Sequence, residues 1–405
     1  MTAILPGATI GILGGGQLGR MTAIAARTLG YDVRVLDPDE DAPAFALSRE
    51  PITAQFNDTE AATRLARGCD VVTLEIEQVA TSTLEAAARV ATVRPSAAVV
   101  HTVQERGRQK EFLSAHGFPV GEYAIADTTA ACGEAAGRFG ASIVKSTMGG
   151  YDGRGQVRVR DAAQGAAAFT TIGAPRVVVE KFLDIAAELS VMVARAPSGE
   201  VVAYPPSRNH HEAGILVWAV VPGGFDPAIE QQSRELATSI ATALDVIGLL
   251  AVEMFLTSDG RLLVNELAPR PHNTYHHSER ACPTSQFEQL VRATCGLPLG
   301  DVSIVRPAAI HNLLGDLWTM GLPNVVAALA VPRARVHLYG KRLARPGRKM
   351  GHLSACGATA EEALRTVMDA YEALRTRDQR PETRDQRPET RDQRPETRDQ
   401  RPETR

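Results

Sequence analysis

Two glutamates, Glu253 and Glu266, make the clearest chemical proposal in this sequence. Each sits in an apolar, β-branched run, Leu249 to Thr257 and Leu262 to Leu267, and Asp259-Gly260 between the runs is a favoured two-residue hairpin turn. With those two residues as the loop, Ser258 faces Arg261, and counting outward places Glu253 opposite Glu266. Carboxylates with β-carbons roughly 5 Å apart repel unless a cation lies between them. Hard oxygen donors that leave coordination positions for phosphate and water suit magnesium carrying a nucleotide. Asn265 is placed to add a contact if the strand end twists.

Glycine-rich loops supply the complementary phosphate chemistry. Gly149-Gly150-Tyr151-Asp152-Gly153-Arg154-Gly155 follows a strand ending at Lys145, and its density of bare amides makes a cover for a polyphosphate, with Lys145 and Arg154 supplying charge. Gly14-Gly15-Gly16-Gln17-Leu18-Gly19 satisfies GxGxxG between a strand and a helix, and Asp37 closes the next strand where a ribose-binding acid is expected. Taken alone, that turn reads as a dinucleotide site, although glycine amides at a helix N-terminus hold any phosphate.

Other polar groups are weaker signals. Val177 to Leu183 ends a β run in Glu180-Lys181-Phe182-Leu183, with Glu188 following, an edge that suits adenine and ribose. His272, His276 and His277 near Cys282 raise a zinc reading, but no second pair has zinc spacing, and an anion-binding loop led by Arg270 is preferred. Lys341, Arg342, Arg345, Arg348 and Lys349 crowd around Pro346-Gly347, a turn that would focus them on one phosphate.

The elements that must position these groups follow from the pattern. Strand, glycine turn, helix (Leu18 to Leu29) and strand (Asp32 to Leu36) form a βαβ unit, and the α/β region ends near Val93 to Ser96. Beyond His101, helices at Arg106 to His116 and Thr129 to Phe139 alternate with strands in α+β texture, and an amphipathic helix at Ala360 to Leu374 closes the organised chain. The expected organisation is an N-terminal α/β domain over residues 1–97, a central domain over 98–296 with a lid at about 117–185, a C-terminal domain over 297–375 and a tail over 376–405. Asp-Gln-Arg-Pro-Glu-Thr-Arg repeats four times from Asp378 to Arg405 without an apolar residue, which predicts disorder.

Composition narrows the class. The 405 residues, 44% hydrophobic and 22% charged, allow two or three buried cores. A formal charge of −3 gives no global pull toward nucleic acid or membrane. Met1 to Gly16 has no basic region and is broken by Pro6, Gly7 and Gly11, so neither a signal peptide nor a transmembrane helix is expected. Five cysteines without paired spacing suggest a reducing cytoplasm.

Taken in order, GGGQLGRM at Gly14, TLEIEQV at Thr73, the segment Arg106 to Lys110, KSTMGGYDGRG at Lys145, VNELAPRPHN at Val264, TSQFEQ at Thr284 and RPGRKMGH at Arg345 resemble the N5-carboxyaminoimidazole ribonucleotide synthetases. That resemblance implies an ATP-grasp fold with a Rossmann-like pre-ATP-grasp domain, and a homodimer. It implies ATP contacts at Arg106, Lys145, Gly150, Tyr151, Asp152, Gly153, Arg154, Gly155, Gln156, Glu180, Lys181, Phe182, Leu183, Glu188 and His211. Magnesium, with manganese as a substitute, falls to Glu253 and Glu266 beside Asn265. Gly16, Gln17, Leu18, Glu75, Lys341 and Arg348 are implied for the ribonucleotide, and Tyr151, Asp152, Arg270 and Lys349 for the reaction centre, where bicarbonate is the co-substrate. The chain departs from the family pattern at Thr274-Tyr275, where Ser-Gly is usual, at Arg280, where an acid is common, and at Ile76 and Gln78. Competing readings are a formate-dependent glycinamide ribonucleotide transformylase, an NAD-dependent oxidoreductase and a nucleotide-binding regulator without turnover.

Overall fold

The computed structural model describes residues 2–149, 155–319 and 321–376. The flap residues Gly150 to Arg154 and nearly all of the repeat tail, 377–405, lie outside the described residues.

The N-terminal sheet is parallel: β1 (Thr9–Leu13), β2 (Asp32–Asp37), β3 (Pro51–Thr53), β4 (Val71–Leu74) and β5 (Thr92–Val93) run in the order β3-β2-β1-β4-β5. Val33, Val35, Leu36, Val71, Val72 and Leu74 are buried, as strands covered on both faces require. The strand order reverses between β1 and β4, so the glycine turn after β1 and the segment after β4 flank the crevice where such sheets take ligands. The first helix, Gln17–Thr28, begins in that crevice.

A second, antiparallel sheet holds β6 (Tyr123–Ala126), β7 (Ser142–Ser146), β8 (Gln156–Val159) and β9 (Val177–Lys181) in the order β6-β9-β7-β8. The helices Thr129–Phe139 and Ala162–Ile172 cover one side of it around Val144, Val177 and Val179. In sequence, the flap residues fall between β7 and β8.

The third sheet is the scaffold of the site. It comprises β10 (Ile185–Arg195), β11 (Val201–Ala203), β12 (Ser207–Glu212), β13 (Ile215–Val221), β14 (Gly248–Thr257), β15 (Leu262–Ala268), β16 (Ala308–Leu314), β17 (Ala334–Leu338) and β18 (Lys349–Cys356). The order is β15-β14-β10-β12-β13-β16-β18-β17, with β11 beside β10. Because β13 pairs with β16, the sheet passes without interruption across residue 297. The last helix, Ala360–Arg375, packs Ala363, Val367, Ala370 and Leu374 on this far half.

Alternation explains which side of the sheet does chemistry. Leu189, Val191 and Val193 of β10 and Leu250, Val252 and Met254 of β14 join one core cluster with Ala237, Ile240 and Ala241 of the helix Pro227–Ala243. The intervening positions, Glu188, Ser190 and Glu253, therefore face the other way.

The β14–β15 hairpin corrects the sequence count in two places. Leu256 pairs with Leu262, and Thr257 N donates to Arg261 O at 2.9 Å, so the loop is three residues long, Ser258 to Gly260, not two. Gly260 takes φ +82°, the left-handed conformation such a loop needs. On that register Glu253 would face Asn265. A bulge between Met254/Val264 and Glu253/Glu266 adds one residue to β15 and restores the expected Glu253–Glu266 pair. The same bulge breaks the period of two. Leu262, Val264 and Leu267 all point into the core, while Glu266, which a regular strand would send inward with Val264, turns out beside Glu253.

Candidate functional site

Several parts of the chain deliver charge to the face of β14 and β15 opposite the core. Glu253 is burdened by its surroundings: burial first, then the fields of Glu266 and Glu188, push its carboxyl up to about 7 against the opposing pull of His211. A pair of carboxylates held this way, with hard oxygen donors on adjacent strands, fits a divalent cation that would relieve the repulsion. His272 Nε2 lies 3.5 Å from Glu253 Oε1, and burial together with Arg270 and Lys349 keeps that imidazole neutral, well below its usual range. Arg106 Nη2 stands 3.7 Å from Glu266 Oε2. Glu188 Oε2 contacts His211 Nδ1 at 2.6 Å, and although burial opposes it, that bond raises the His211 pKa.

The helix Arg106–Ala115 fixes the strand behind these groups. Glu105 caps it by accepting from Arg108 N at 2.6 Å. One turn on, Gln109 grips β15 beside Glu266, accepting from Leu267 N at 3.0 Å and donating to Leu267 O at 3.3 Å. The next residue is Lys110, almost wholly buried, whose Nζ lies 3.3 Å from Glu180 Oε1, while Lys145 Nζ donates to Glu180 Oε2 at 2.8 Å. Burial raises the Glu180 carboxyl, but the two ammonium groups overcome it and hold Glu180 down at about 2. Lys110 entered the sequence argument only as part of a matched segment; its burial was not legible from composition. The segment Glu180 to Leu183 carries the chain from β9 to β10, between the two antiparallel sheets. Lys181 turns outward to Glu122 at 2.5 Å, and Phe182 is exposed with the Arg158 guanidinium over its ring.

At the N-terminal crevice, the glycine-turn amides are engaged by carboxylates. Glu75 accepts from Gly16 N at 2.7 Å and Gly19 N at 2.5 Å, and Asp37 accepts from Gly15 N at 2.6 Å and Asp39 N at 2.8 Å. Asp37 thus stabilises its own turn, contrary to the role of a ribose acid in a dinucleotide site. Gly14 takes φ +102°, and a β-carbon there would run into the Glu75 side chain, so this acid and this turn require each other. Leu18 packs with Met21, Phe287 and Tyr339.

The late basic cluster does not converge on a point, as expected from sequence, but spreads over that crevice. Lys341 Nζ donates to Gln17 Oε1 at 2.7 Å and to Lys349 O at 3.0 Å. Arg342 Nη1 reaches Asp41 at 2.9 Å, and Arg348 donates to Leu343 O at 2.9 Å with Asp39 3.7 Å away. Arg345 is exposed. Lys349, the first residue of β18, sets a field on Glu253, His211 and His272, which places it at the same centre.

Arg270 lies two residues beyond β15. The guanidinium forms a bidentate pair with Glu77, a residue the sequence reading passed over in favour of its neighbour Glu75. The unusual Tyr275 is fully buried, its hydroxyl donating to Ser190 O at 2.7 Å and Pro205 O at 2.9 Å. Thr274 accepts from Ser190 Oγ at 2.9 Å. Of the three histidines weighed together for zinc, His272 belongs to the Glu253 centre, whereas His276 and His277 are buried.

The ribonucleotide synthetase preATP-grasp domain matches residues 7–104, the ATP-grasp domain matches 111–287 and the phosphoribosylaminoimidazole carboxylase C-terminal domain matches 308–366. The N5-carboxyaminoimidazole ribonucleotide synthase of Bacillus subtilis (strain 168) is 38% identical over 369 residues, covering 91% of this chain and 96% of that protein. The crystal structure of an N5-carboxyaminoimidazole ribonucleotide synthetase in complex with ADP superposes with TM-score 0.86 at 36% identity, covering 93% of this chain and all of that one. The Aspergillus clavatus enzyme in complex with ADP and 5-aminoimidazole ribonucleotide gives 0.82 at 32% identity, covering 91% and 98%. The fold is that of an ATP-grasp ligase. Within that class the chain belongs to the N5-carboxyaminoimidazole ribonucleotide synthase family.

Proposed function

We propose that this chain carboxylates the exocyclic amine of 5-aminoimidazole ribonucleotide, consuming ATP and bicarbonate and releasing ADP and phosphate, a step of purine biosynthesis. The observation that carries the reading is the outward-facing Glu253–Glu266 pair, delivered by a bulge to the face that also receives Arg106, His211, Arg270 and Lys349.

Glu253 and Glu266 would hold magnesium, or manganese in its place, with Asn265 alongside; when bound, the ion screens the terminal phosphates of ATP. Lys145 and Arg106 bind nucleotide phosphate, with Gly150 to Gln156 closing above, and Glu180 to Leu183 present backbone to the adenine. Glu188 and its partner His211 complete the nucleotide end. Bicarbonate attacks the γ-phosphate while Arg270 and Lys349 offset developing charge. The resulting carboxyphosphate breaks down to carbon dioxide beside the amine, and Tyr151 and Asp152 orient the acceptor and exclude water. Gly16, Gln17 and Glu75 with Lys341 and Arg348 hold the ribonucleotide, at the crevice where the parallel sheet reverses its order.

The same reading includes a homodimer, on the strength of family resemblance, and a cytoplasmic location, supported by five free cysteines and by the absence, among the described residues, of a helix long and apolar enough to cross a membrane. Phosphate release from ATP, measured with and without 5-aminoimidazole ribonucleotide and bicarbonate, tests the activity. Both must be required, and turnover with formate in place of bicarbonate would instead select the transformylase reading, which the relatives do not favour.

A further inference from the structure

On the far side of the Arg270 loop lies a group of side chains that the reaction does not use. His337 of β17 and His352 of β18 are direct cross-strand partners, and their rings stack with centroids 4.2 Å apart. Glu279, in the short helix Ser278–Ala281, reaches the same place, and one donor atom from each of these residues lies within 4.8 Å of the others. His352 is fully buried. Its Nδ1 lies 2.8 Å from Tyr339 Oη, while its Nε2 has no hydrogen-bond partner. An orphaned imidazole nitrogen in a packed interior is costly.

We infer that Glu279, His337 and His352 form a binding site for a divalent transition-metal ion of the zinc class, separate from the Glu253–Glu266 pair. Two imidazoles and one carboxylate are a borderline donor set, suited to zinc or cobalt rather than magnesium, and they leave a fourth position for water. The ligand tautomer is already supported. With His352 Nδ1–H donating to Tyr339 Oη, the tyrosine hydroxyl proton is directed at His276 Nε2, 3.3 Å away, and His352 Nε2 is left with a free lone pair. His337 Nε2 is 3.2 Å from Ser354 Oγ, which leaves its Nδ1 as the donor atom. Bringing three donors that lie within 4.8 Å of one another to the roughly 3.4 Å separation of a tetrahedral site requires the exposed Glu279 side chain to rotate and the half-buried His337 ring to turn out of its stack on His352, since the in-plane lone pairs of parallel rings do not converge on one ion.

Arg280 and Arg335 act electrostatically on Glu279 and His337, and Arg20 on His337, so they oppose the cation and set the affinity to a moderate level. The ion would tie the loop that follows Arg270 and His272 to the β17–β18 hairpin, whose connecting turn and second strand carry Lys341 and Lys349. Occupancy is therefore expected to stiffen the basic side of the crevice.

Cobalt(II) titration of the chelator-stripped full chain, followed by visible absorption and calorimetry in excess magnesium, tests the site. One equivalent should bind with the intense visible band of a four-coordinate ion and raise the thermal midpoint. Glu279→Gln and His337→Gln should each weaken binding on the order of tenfold or more, and Tyr339→Phe about tenfold, because it removes the hydroxyl that orients the His352 ring. Glu253→Gln should leave the cobalt band unchanged. Absence of saturable binding, or binding abolished by Glu253→Gln and indifferent to Glu279→Gln and His337→Gln, would overturn the inference.

Discussion

Arg270 and Glu77 stand 193 positions apart and meet as a bidentate ion pair, Arg270 Nη2 donating to Glu77 Oε1 at 2.9 Å and Nε to Oε2. Although burial raises it, the guanidinium holds the Glu77 carboxyl below its ordinary value. A cation just beyond the large sheet, two residues past β15, thus takes its orientation from an acid that follows β4 of the parallel sheet.

Glu77→Gln should therefore damage both stability and chemistry. Removing one partner of a largely buried pair leaves the other charge unpaired, a loss of about 3 kcal/mol. Turnover should fall more than ATP affinity, because Arg270 would lose its fixed direction rather than its charge. Urea unfolding and steady-state kinetics of Glu77→Gln and Glu77→Asp check this, with the aspartate variant expected to recover part of both. Unchanged kcat in Glu77→Gln would show that Arg270 is positioned without Glu77.

Much of this layout was legible in the sequence because it is local. The apolar runs gave β14 and β15, the glycine turn gave the start of the first helix, and the helix Thr129–Phe139 was placed to the residue. The Glu253–Glu266 pairing was also correct, but through two compensating irregularities: a loop one residue longer than Asp259-Gly260 suggests and a bulge at Asn265. Neither has a strong local signal, since Ser258 and Asn265 are compatible with regular neighbours. Tertiary partnerships were not legible at all. Nothing in the run Glu75-Ile76-Glu77 says which acid caps the glycine turn and which one grips Arg270, and the burial of Lys110 depends on strands far along the chain.

The raised Glu253 pKa makes stability depend on pH. An acid whose pKa goes from 4.5 to about 7 on folding binds more protons in the folded state, so between those values its contribution falls as pH rises. At about 1.4 kcal/mol per unit, this amounts to about 3 kcal/mol for the nucleotide-free chain. Buried histidines lose stability in the opposite direction, as pH falls below their unfolded value, so the informative quantity is the difference from Glu253→Gln. That variant should lack the decline, be more stable than the parent at pH 8, and lose magnesium-dependent turnover. Magnesium affinity of the parent should rise about tenfold per unit until pH is near 7 and then level off. Identical pH dependence of unfolding in the two proteins would refute the assignment.

Glu180 shows the reverse linkage. Its pKa drops from 4.5 to about 2 on folding, so its stabilisation is complete above 4.5 and disappears as pH falls toward 2. Glu180→Gln strands the buried Lys110 ammonium and should cost about 3 kcal/mol while raising the KM for ATP through a displaced Lys145. Lys110→Met in the same background removes the stranded charge and should return much of the stability without restoring the KM. A denaturation and kinetic comparison of the two singles and the double variant separates these effects, and additive losses would show that Lys110 and Glu180 are not coupled.

Tyr275 occupies a position where the family pattern has glycine, yet its ring faces Tyr204 at 5.6 Å and its hydroxyl is spent on Ser190 O and Pro205 O. The side chain is wholly accommodated in the interior. Tyr275→Phe should cost about 1 kcal/mol for the lost donor, and Tyr275→Gly about 4 kcal/mol for the emptied volume plus added chain freedom. Neither loss should be accompanied by a change in the KM for 5-aminoimidazole ribonucleotide, provided it is measured well below the unfolding midpoint. A large shift in that KM in Tyr275→Phe, whose packing is preserved, would mean that the ring reaches the substrate through a loop movement and that its family-atypical bulk tunes recognition.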